Sequence, residues 1–170
     1  MPTYRNEICK WILEDIQNSI DIRQFGNVSG VSTSHYLVNL IHFLHQGPEK
    51  NYNVGTVVLT DFSKAFDLIN HTLLIEKMLD IGVRRTIVPW ICDFLHNRLQ
   101  CVKFNDTLSD YVPVNGGVPQ GTKLGPLGFQ IVINDAAVNA KSDCWKYVDD
   151  LTFAENRKRN EKGGLQNDFG

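Results

Sequence analysis

Residues 144–154 read Cys144-Trp145-Lys146-Tyr147-Val148-Asp149-Asp150-Leu151-Thr152-Phe153-Ala154, two apolar runs with a pair of aspartates between them. The runs are short and rich in aromatic and branched side chains, and Asp favours turns, so the stretch predicts a strand, a tight turn and a strand. Upstream, Val54-Gly55-Thr56-Val57-Val58-Leu59-Thr60-Asp61 reads as a buried strand that ends on a carboxylate. A carboxylate beside an apolar layer costs stability unless it is paired or bound to a cation. Adjacent like charges add repulsion that a divalent metal relieves. Taken alone, Asp149-Asp150 is an ordinary hairpin turn and Asp61 an ordinary helix N-cap. Asp61 and Asp149 lie 88 positions apart, so only a fold that sets their strands side by side joins them. Joined, they make a candidate site for a pair of divalent ions of the kind that clamp a phosphoryl transfer. Mg²⁺ suits it, because that ion needs only one or two carboxylates plus phosphate oxygens and water.

Outward from these strands the pattern is mixed. Residues 4–20 predict an amphipathic helix with Ile8, Trp11, Ile12, Ile16 and Ile20 on one stripe. Residues 21–30 read as a loop. Ser32 or Thr33 caps a second helix with Leu37, Leu40, Ile41 and Leu44 at helical spacing, and Gly47-Pro48 stops it. A helix over 70–81 with Gly82 as its C-cap follows, then a helix over 84–96 with Pro89 in its first turn or at a kink. Residues 100–114 predict a hairpin turning at Asn105-Asp106, and the Gly/Pro-rich connector 116–128 leads into an apolar helix ending near Val138. The polar, Gly-rich tail from Glu155 is expected to fray. This order suits an α+β fold built on a split β-α-β unit, with helices on one face of a largely antiparallel sheet.

Three blocks then stand out together. Val58-Leu59-Thr60-Asp61-Phe62-Ser63-Lys64-Ala65-Phe66-Asp67 resembles motif A of reverse transcriptases from non-LTR (LINE-type) retrotransposons. Gly117-Val118-Pro119-Gln120-Gly121-Thr122-Lys123-Leu124-Gly125-Pro126-Leu127 resembles their motif B, and Tyr147-Val148-Asp149-Asp150 their motif C. Gln24-Phe25-Gly26, Gly30-Val31-Ser32-Thr33, Asn97-Arg98-Leu99-Gln100 and Ile133-Asn134-Asp135 add to the likeness, which spans about Gln24 to Phe153. Each motif alone is weak; three in the right order and spacing are specific. Val148 stands where LINE-type enzymes more often carry Ala, and Gly128 where they carry an apolar residue.

The resemblance implies a polymerase palm with part of the fingers: a helical fingers-side segment over 1–50, a palm core over 51–154 whose 84–116 stretch points towards the fingers, and a polar tail over 155–170. It implies Asp61, Asp149 and Asp150 as catalytic residues and ligands of two Mg²⁺ ions, with Mn²⁺ as a substitute. Phe66 takes the place of the aromatic gate that excludes a ribose 2′-hydroxyl. Phe62, Pro119, Gln120, Gly121 and Tyr147 fall among the residues that line the nucleotide, template and primer. Backbone N–H groups of 63–65 can face a triphosphate, and Asp67 is expected to cap or pair locally.

The implied reaction is RNA-templated addition of a deoxynucleotide to a primer 3′-hydroxyl, with RNA template, DNA primer and dNTP as partners. One alternative is an inactive remnant without complete fingers and thumb. Another is a metal-dependent phosphodiesterase, which gives Phe66 and Gln120 no role. An RNA-templated RNA polymerase usually carries Gly where this chain has Val148.

Composition bounds the rest. The 170 residues are 42% apolar and 21% charged, which excludes disorder, and no apolar run reaches the ~18 residues of a membrane helix. The N-terminal residues carry no apolar signal core, so an intracellular rather than secreted protein is expected. Four dispersed cysteines argue against a zinc knuckle or a disulfide framework, and His42 and His45 suit packing better than metal binding. Net charge is −2, with 17 Lys and Arg against 19 Asp and Glu, so weak nucleic-acid binding is expected of this chain by itself.

Overall fold

The computed structural model describes residues 2–49 and 54–165. The expected boundary near residue 50 and the last five residues of the tail lie outside them. Along the chain the elements are α1 (Pro2–Ile16), α2 (Thr33–Glu49), β1 (Val54–Asp61), α3 (His71–Ile81), α4 (Val88–Leu95), β2 (Leu99–Gln100), β3 (Lys103–Phe104), β4 (Thr107–Leu108), β5 (Val112–Pro113), α5 (Leu124–Val132), β6 (Asp143–Tyr147) and β7 (Asp150–Arg157). They divide into two units, Met1–Ile20 with Lys64–Val132, and Asp21–Ser63 with Ile133–Gly170. None of the described helices is long and apolar enough to cross a membrane.

In the first unit, α1 buries Ile8, Ile12 and Ile16, one residue per turn, and ends at Ile16 rather than running to residue 20. Trp11, expected on the buried stripe, is 38% exposed, with the Arg84 guanidinium 5.8 Å from its ring centre. Arg84 also forks onto Asp15, with nitrogen–oxygen distances of 2.6–3.0 Å. Helix α3 matches its expected span: the Asn70 side chain accepts from the Leu73 N–H, and Gly82 closes the helix at φ 107°. Helix α4 starts later than expected, after turns at 84–88, and holds Pro89 in its first turn, where a missing N–H costs little. The hairpin is two short nested ladders, β2 with β5 and β3 with β4, and Asn105 takes φ 53° at the tip.

Helix α5 begins inside the expected connector and stops at Val132, six residues before the expected end. Its two glycines serve close packing. A Cβ on Gly128 meets the Leu74 methyls of α3 at 3.4 and 3.5 Å, so a larger apolar side chain there would crowd that helix.

The second unit is the three-stranded antiparallel sheet β1-β7-β6. Alternation sends Trp145, Tyr147, Thr152 and Asn156 to one face and Cys144, Leu151 and Phe153 to the other. Helix α2 covers the first face: Asn39 accepts from the Trp145 indole at 2.7 Å, Phe43 packs edge-on to that ring, and the Asn156 amide donates to the Phe43 carbonyl at 2.7 Å. The helix therefore seats Tyr36, Asn39 and Phe43 on the sheet, and the expected stripe residues Leu37 and Ile41 are exposed. It also runs through Gly47-Pro48 to Glu49, and Gly47 leaves room for the Asn156 side chain, whose Oδ1 would lie 2.7 Å from a Cβ there.

On the opposite face, Cys144, Leu151, Phe153 and Leu165 form a buried cluster with Val58 and Ala136, Ala137 and Ala140. The tail segment does not fray at Glu155: β7 continues to Arg157, and the Glu155 carboxylate accepts from the N–H groups of Gly164 and Leu165 at 2.6 and 3.2 Å. Strand β1 is half-buried rather than buried, an edge strand with strict alternation that leaves Leu59 73% exposed.

Candidate active site

Strand β1 delivers Asp61 opposite Asp150 of β7, Cα partner to Cα partner, so the expected side-by-side placement of these strands holds within one unit. Tyr147 of β6 pairs with the same Asp150, which makes Val148-Asp149 a two-residue turn. Of the two, Val148 has positive φ, 56°. That pattern belongs to a hairpin turn that prefers Gly at its first position, so the β-branched Val148 is held against its preference. The three aspartates are neighbours at one end of the sheet. Burial first, then the charges of Asp149 and Asp61, push the Asp150 carboxyl above its ordinary range. Among the described residues no three His, Cys, Asp or Glu side chains are gathered closely enough to hold a metal ion by themselves. The donor set is nonetheless one of hard carboxylate oxygens under mutual repulsion, which fits a divalent cation that completes its shell with phosphate oxygens and water.

An aromatic wall stands behind the turn. The Tyr147 hydroxyl hydrogen-bonds Thr33 at 2.7 Å, its ring lies 5.8 Å from that of Tyr36, and the Tyr36 hydroxyl reaches Thr152 at 2.6 Å. Beneath the turn, Lys146 is fully buried, and its ammonium donates to Asp21 at 2.7 Å and to the carbonyls of Asn134 at 2.7 Å and Ile133 at 3.3 Å. After Val132 the chain turns instead of continuing as a helix, with the Ala136 N–H donating to the Ile133 carbonyl at 2.9 Å. Sequence reading missed Lys146 and Asp21; the signal was a lysine inside an apolar strand, which must find a carboxylate.

Phe62, 40% exposed, and Ser63 follow directly on β1 in the same unit, and the rest of motif A and motif B, from Lys64 to Leu127, lie in the other. Lys64 takes φ 54° and starts a turn over 64–68. Phe66 is half-buried, with its ring 5.2 Å from Phe129. The end of motif A and the start of motif B run side by side: Val118 N–H donates to the Phe66 carbonyl and Gly117 N–H to the Ile69 carbonyl, both at 2.8 Å. A Cβ on Gly117 would lie 2.7 Å from the Asp67 carbonyl oxygen, so only glycine permits this approach. Asp67, expected to cap or pair locally, instead accepts from the amide of Gln120, 53 positions on, at 3.1 Å. The Pro119 carbonyl accepts from Thr122, and Gly121 takes φ 74°.

Residues 4–168 match the family described as Reverse transcriptase (RNA-dependent DNA polymerase). The chain belongs to the reverse transcriptase family. Over 127 residues, 72% of this chain, it is 29% identical to the RNA-directed DNA polymerase from mobile element jockey of Drosophila melanogaster, of which it spans 13%. The LINE-type likeness read from the motifs agrees with that match. In fold it resembles, over 98% of its length, apo telomerase from Candida tropicalis truncated from its C-terminal domain, with a TM-score of 0.66 and 36% of that chain covered. A telomerase from the same organism in complex with a TWJ fragment of telomeric RNA gives a TM-score of 0.69, with 30% covered. At 14% identity these two show the α+β reverse transcriptase fold and nothing more. Reverse transcriptases in general use divalent metals and act on nucleic acids.

Proposed function

We propose that this chain is the catalytic palm segment of an RNA-directed DNA polymerase, adding deoxynucleotides to a primer 3′-hydroxyl on an RNA template. The observation that carries the reading is Asp61 facing Asp150 across β1 and β7, beside the turn that holds Asp149. In this reading Asp61 and Asp149 hold two Mg²⁺ ions with Asp150 as their partner. When bound, the ions supply activation of the attacking 3′-oxygen and neutralisation of charge on the triphosphate. The chain's own residues set the geometry around them. Within one unit the β1–β7 ladder fixes the spacing of Asp61 and Asp150. In the other, the family resemblance gives Gln120, held by Asp67, a part in lining the nucleotide or template and Phe66 the part of a gate against a ribose 2′-hydroxyl. Nothing in the fold or the comparisons favours a phosphodiesterase.

The test is a graft of residues 24–154 into a complete LINE-type enzyme in place of its own segment. In an active chimera, Asp149→Asn should lower primer extension by more than the roughly 100-fold that loss of even an outer partner of a metal costs, because Asn keeps the shape and removes the charge. Phe66→Ala should leave DNA synthesis measurable and raise ribonucleotide incorporation. Full activity of Asp149→Asn removes the catalytic assignment; unchanged sugar selectivity in folded Phe66→Ala protein removes the gate.

A further inference from the structure

The loop 21–26 is wedged under the aspartate turn. Phe25 N–H donates to the Lys146 carbonyl and Lys146 N–H to the Arg23 carbonyl, both at 2.8 Å, so the loop pairs with β6 along its parallel bridge at Gln24. The buried Lys146 ammonium then ties the same loop through Asp21, and Arg23 fastens it again by bonding Asp21 at 2.6 Å and the Ala137 carbonyl at 3.0 Å. The Gln24 side chain, itself buried, accepts from the Gly26 N–H at 3.1 Å. Thus anchored, the loop brings Gly26 against Val148: a Cβ on Gly26 would sit 2.4 Å from the Val148 backbone nitrogen and 2.6 Å from its Cγ2. No real Cβ tolerates such distances. With the loop pinned on both sides, the turn is the part that has to give way.

We infer that Gly26, seated by the Asp21–Lys146 anchor, is a positioning residue that holds Val148 in its left-handed conformation and so fixes where Asp149 stands relative to Asp61. The inference rests on the functional reading above, in which that spacing sets metal binding. Val148 at φ 56° is the mark of outside support: a β-branched residue there is strained, and such strain persists only where its surroundings over-determine it.

The test uses the 170-residue chain and two readouts, amide hydrogen exchange at Val148 and Asp149 and Mn²⁺ affinity followed by loss of the free-ion resonance signal. Gly26→Ala should speed exchange at both amides and weaken Mn²⁺ by about 10-fold or more, the usual cost of losing a group that orients a ligand. Val148→Gly added to Gly26→Ala should recover only part of that loss, because glycine removes Cγ2 and accepts positive φ but keeps the backbone nitrogen that the Cβ meets at 2.4 Å. Gly30→Ala is the structural control: Gly30 has positive φ, 79°, so Ala strains the backbone there, but a Cβ meets nothing within 4 Å. It should lower thermal stability and leave both readouts unmoved. Unchanged amide exchange in folded Gly26→Ala protein overturns the positioning role, as does a Gly30→Ala effect of equal size. Mn²⁺ binding that is indifferent to Asp149→Asn instead overturns the metal assignment, and the exchange data still decide the role of Gly26.

Discussion

At the residue scale, the aspartates near the turn carry opposite electrostatics. Burial by itself would raise the Asp21 carboxyl, but hydrogen bonds from Arg23 and Lys146 more than offset it and hold the group well below the usual carboxylate range. Its folded value is depressed, so its contribution to stability is complete above the unfolded value near ~3.9 and is lost as pH falls through the folded one. Asp150 has the reverse sign: its raised folded value favours the protonated form, so ionisation towards neutral pH costs stability that a cation between the carboxylates would relieve. The anchor gives a sharper comparison. Asp21→Asn leaves the buried Lys146 ammonium facing two carbonyls alone, and should cost about 3 kcal/mol in urea unfolding at pH 7. Lys146→Met should cost less, because Arg23 still satisfies Asp21. Equal losses for the two variants would show that the anchor is not a charge pair at all.

At the element scale, what could be read ahead depended on whether the deciding force was local. Helix α3 was legible because Asn70 and Gly82 announce both of its ends, and the β6–β7 hairpin because turn chemistry and strand periodicity agree. The side-by-side placement of Asp61 and Asp150 followed only from the motifs taken together; periodicity alone left it open. Three readings failed for tertiary reasons. The face of α2 is chosen by Tyr36, Asn39 and Phe43 meeting Trp145 and Thr152, so of the expected stripe Leu40 and Leu44 stay half-buried while Leu37 and Ile41 point away. After Val132 the chain turns, with the Ala136 N–H on the Ile133 carbonyl, where an apolar run alone suggests more helix, and the tail is ordered by Glu155 capping Gly164. Gly128 tests the packing account directly. Ala there meets Leu74 at ordinary contact distance and gains helix propensity, so Gly128→Ala should raise stability by about 0.5–1 kcal/mol. Gly128→Leu should lower it by about 1–3 kcal/mol through overpacking. Thermal unfolding of both variants checks the sign of each.

At the scale of the whole molecule, charge decides how the chain meets its partners. Affinity for nucleic acid comes largely from cations that displace counterions from phosphates, and a cation already paired within the protein contributes little. Here the acidic residues outnumber the basic ones by 19 to 17, and several of the basic ones are committed internally. Arg23 and Lys146 share Asp21, Arg84 forks onto Asp15, and Arg157 reaches Glu155 and the Glu161 carbonyl. The palm reading therefore predicts a chain that places catalytic carboxylates without gripping the duplex. Fluorescence anisotropy with a primer–template hairpin in 0.15 M salt should give a dissociation constant no tighter than the ~10⁻⁴ M end of non-specific binding. The dependence on salt should be shallow, with a slope of log K on log salt corresponding to only about one or two phosphates. Grafted into a complete enzyme, the same residues should leave the host's affinity and salt slope almost unchanged while Asp149→Asn removes extension, which separates binding from chemistry. Sub-micromolar binding by the 170-residue chain, with a slope corresponding to five or more phosphates, would mean that its cations are gathered on one face, and would move the grip on nucleic acid into this segment.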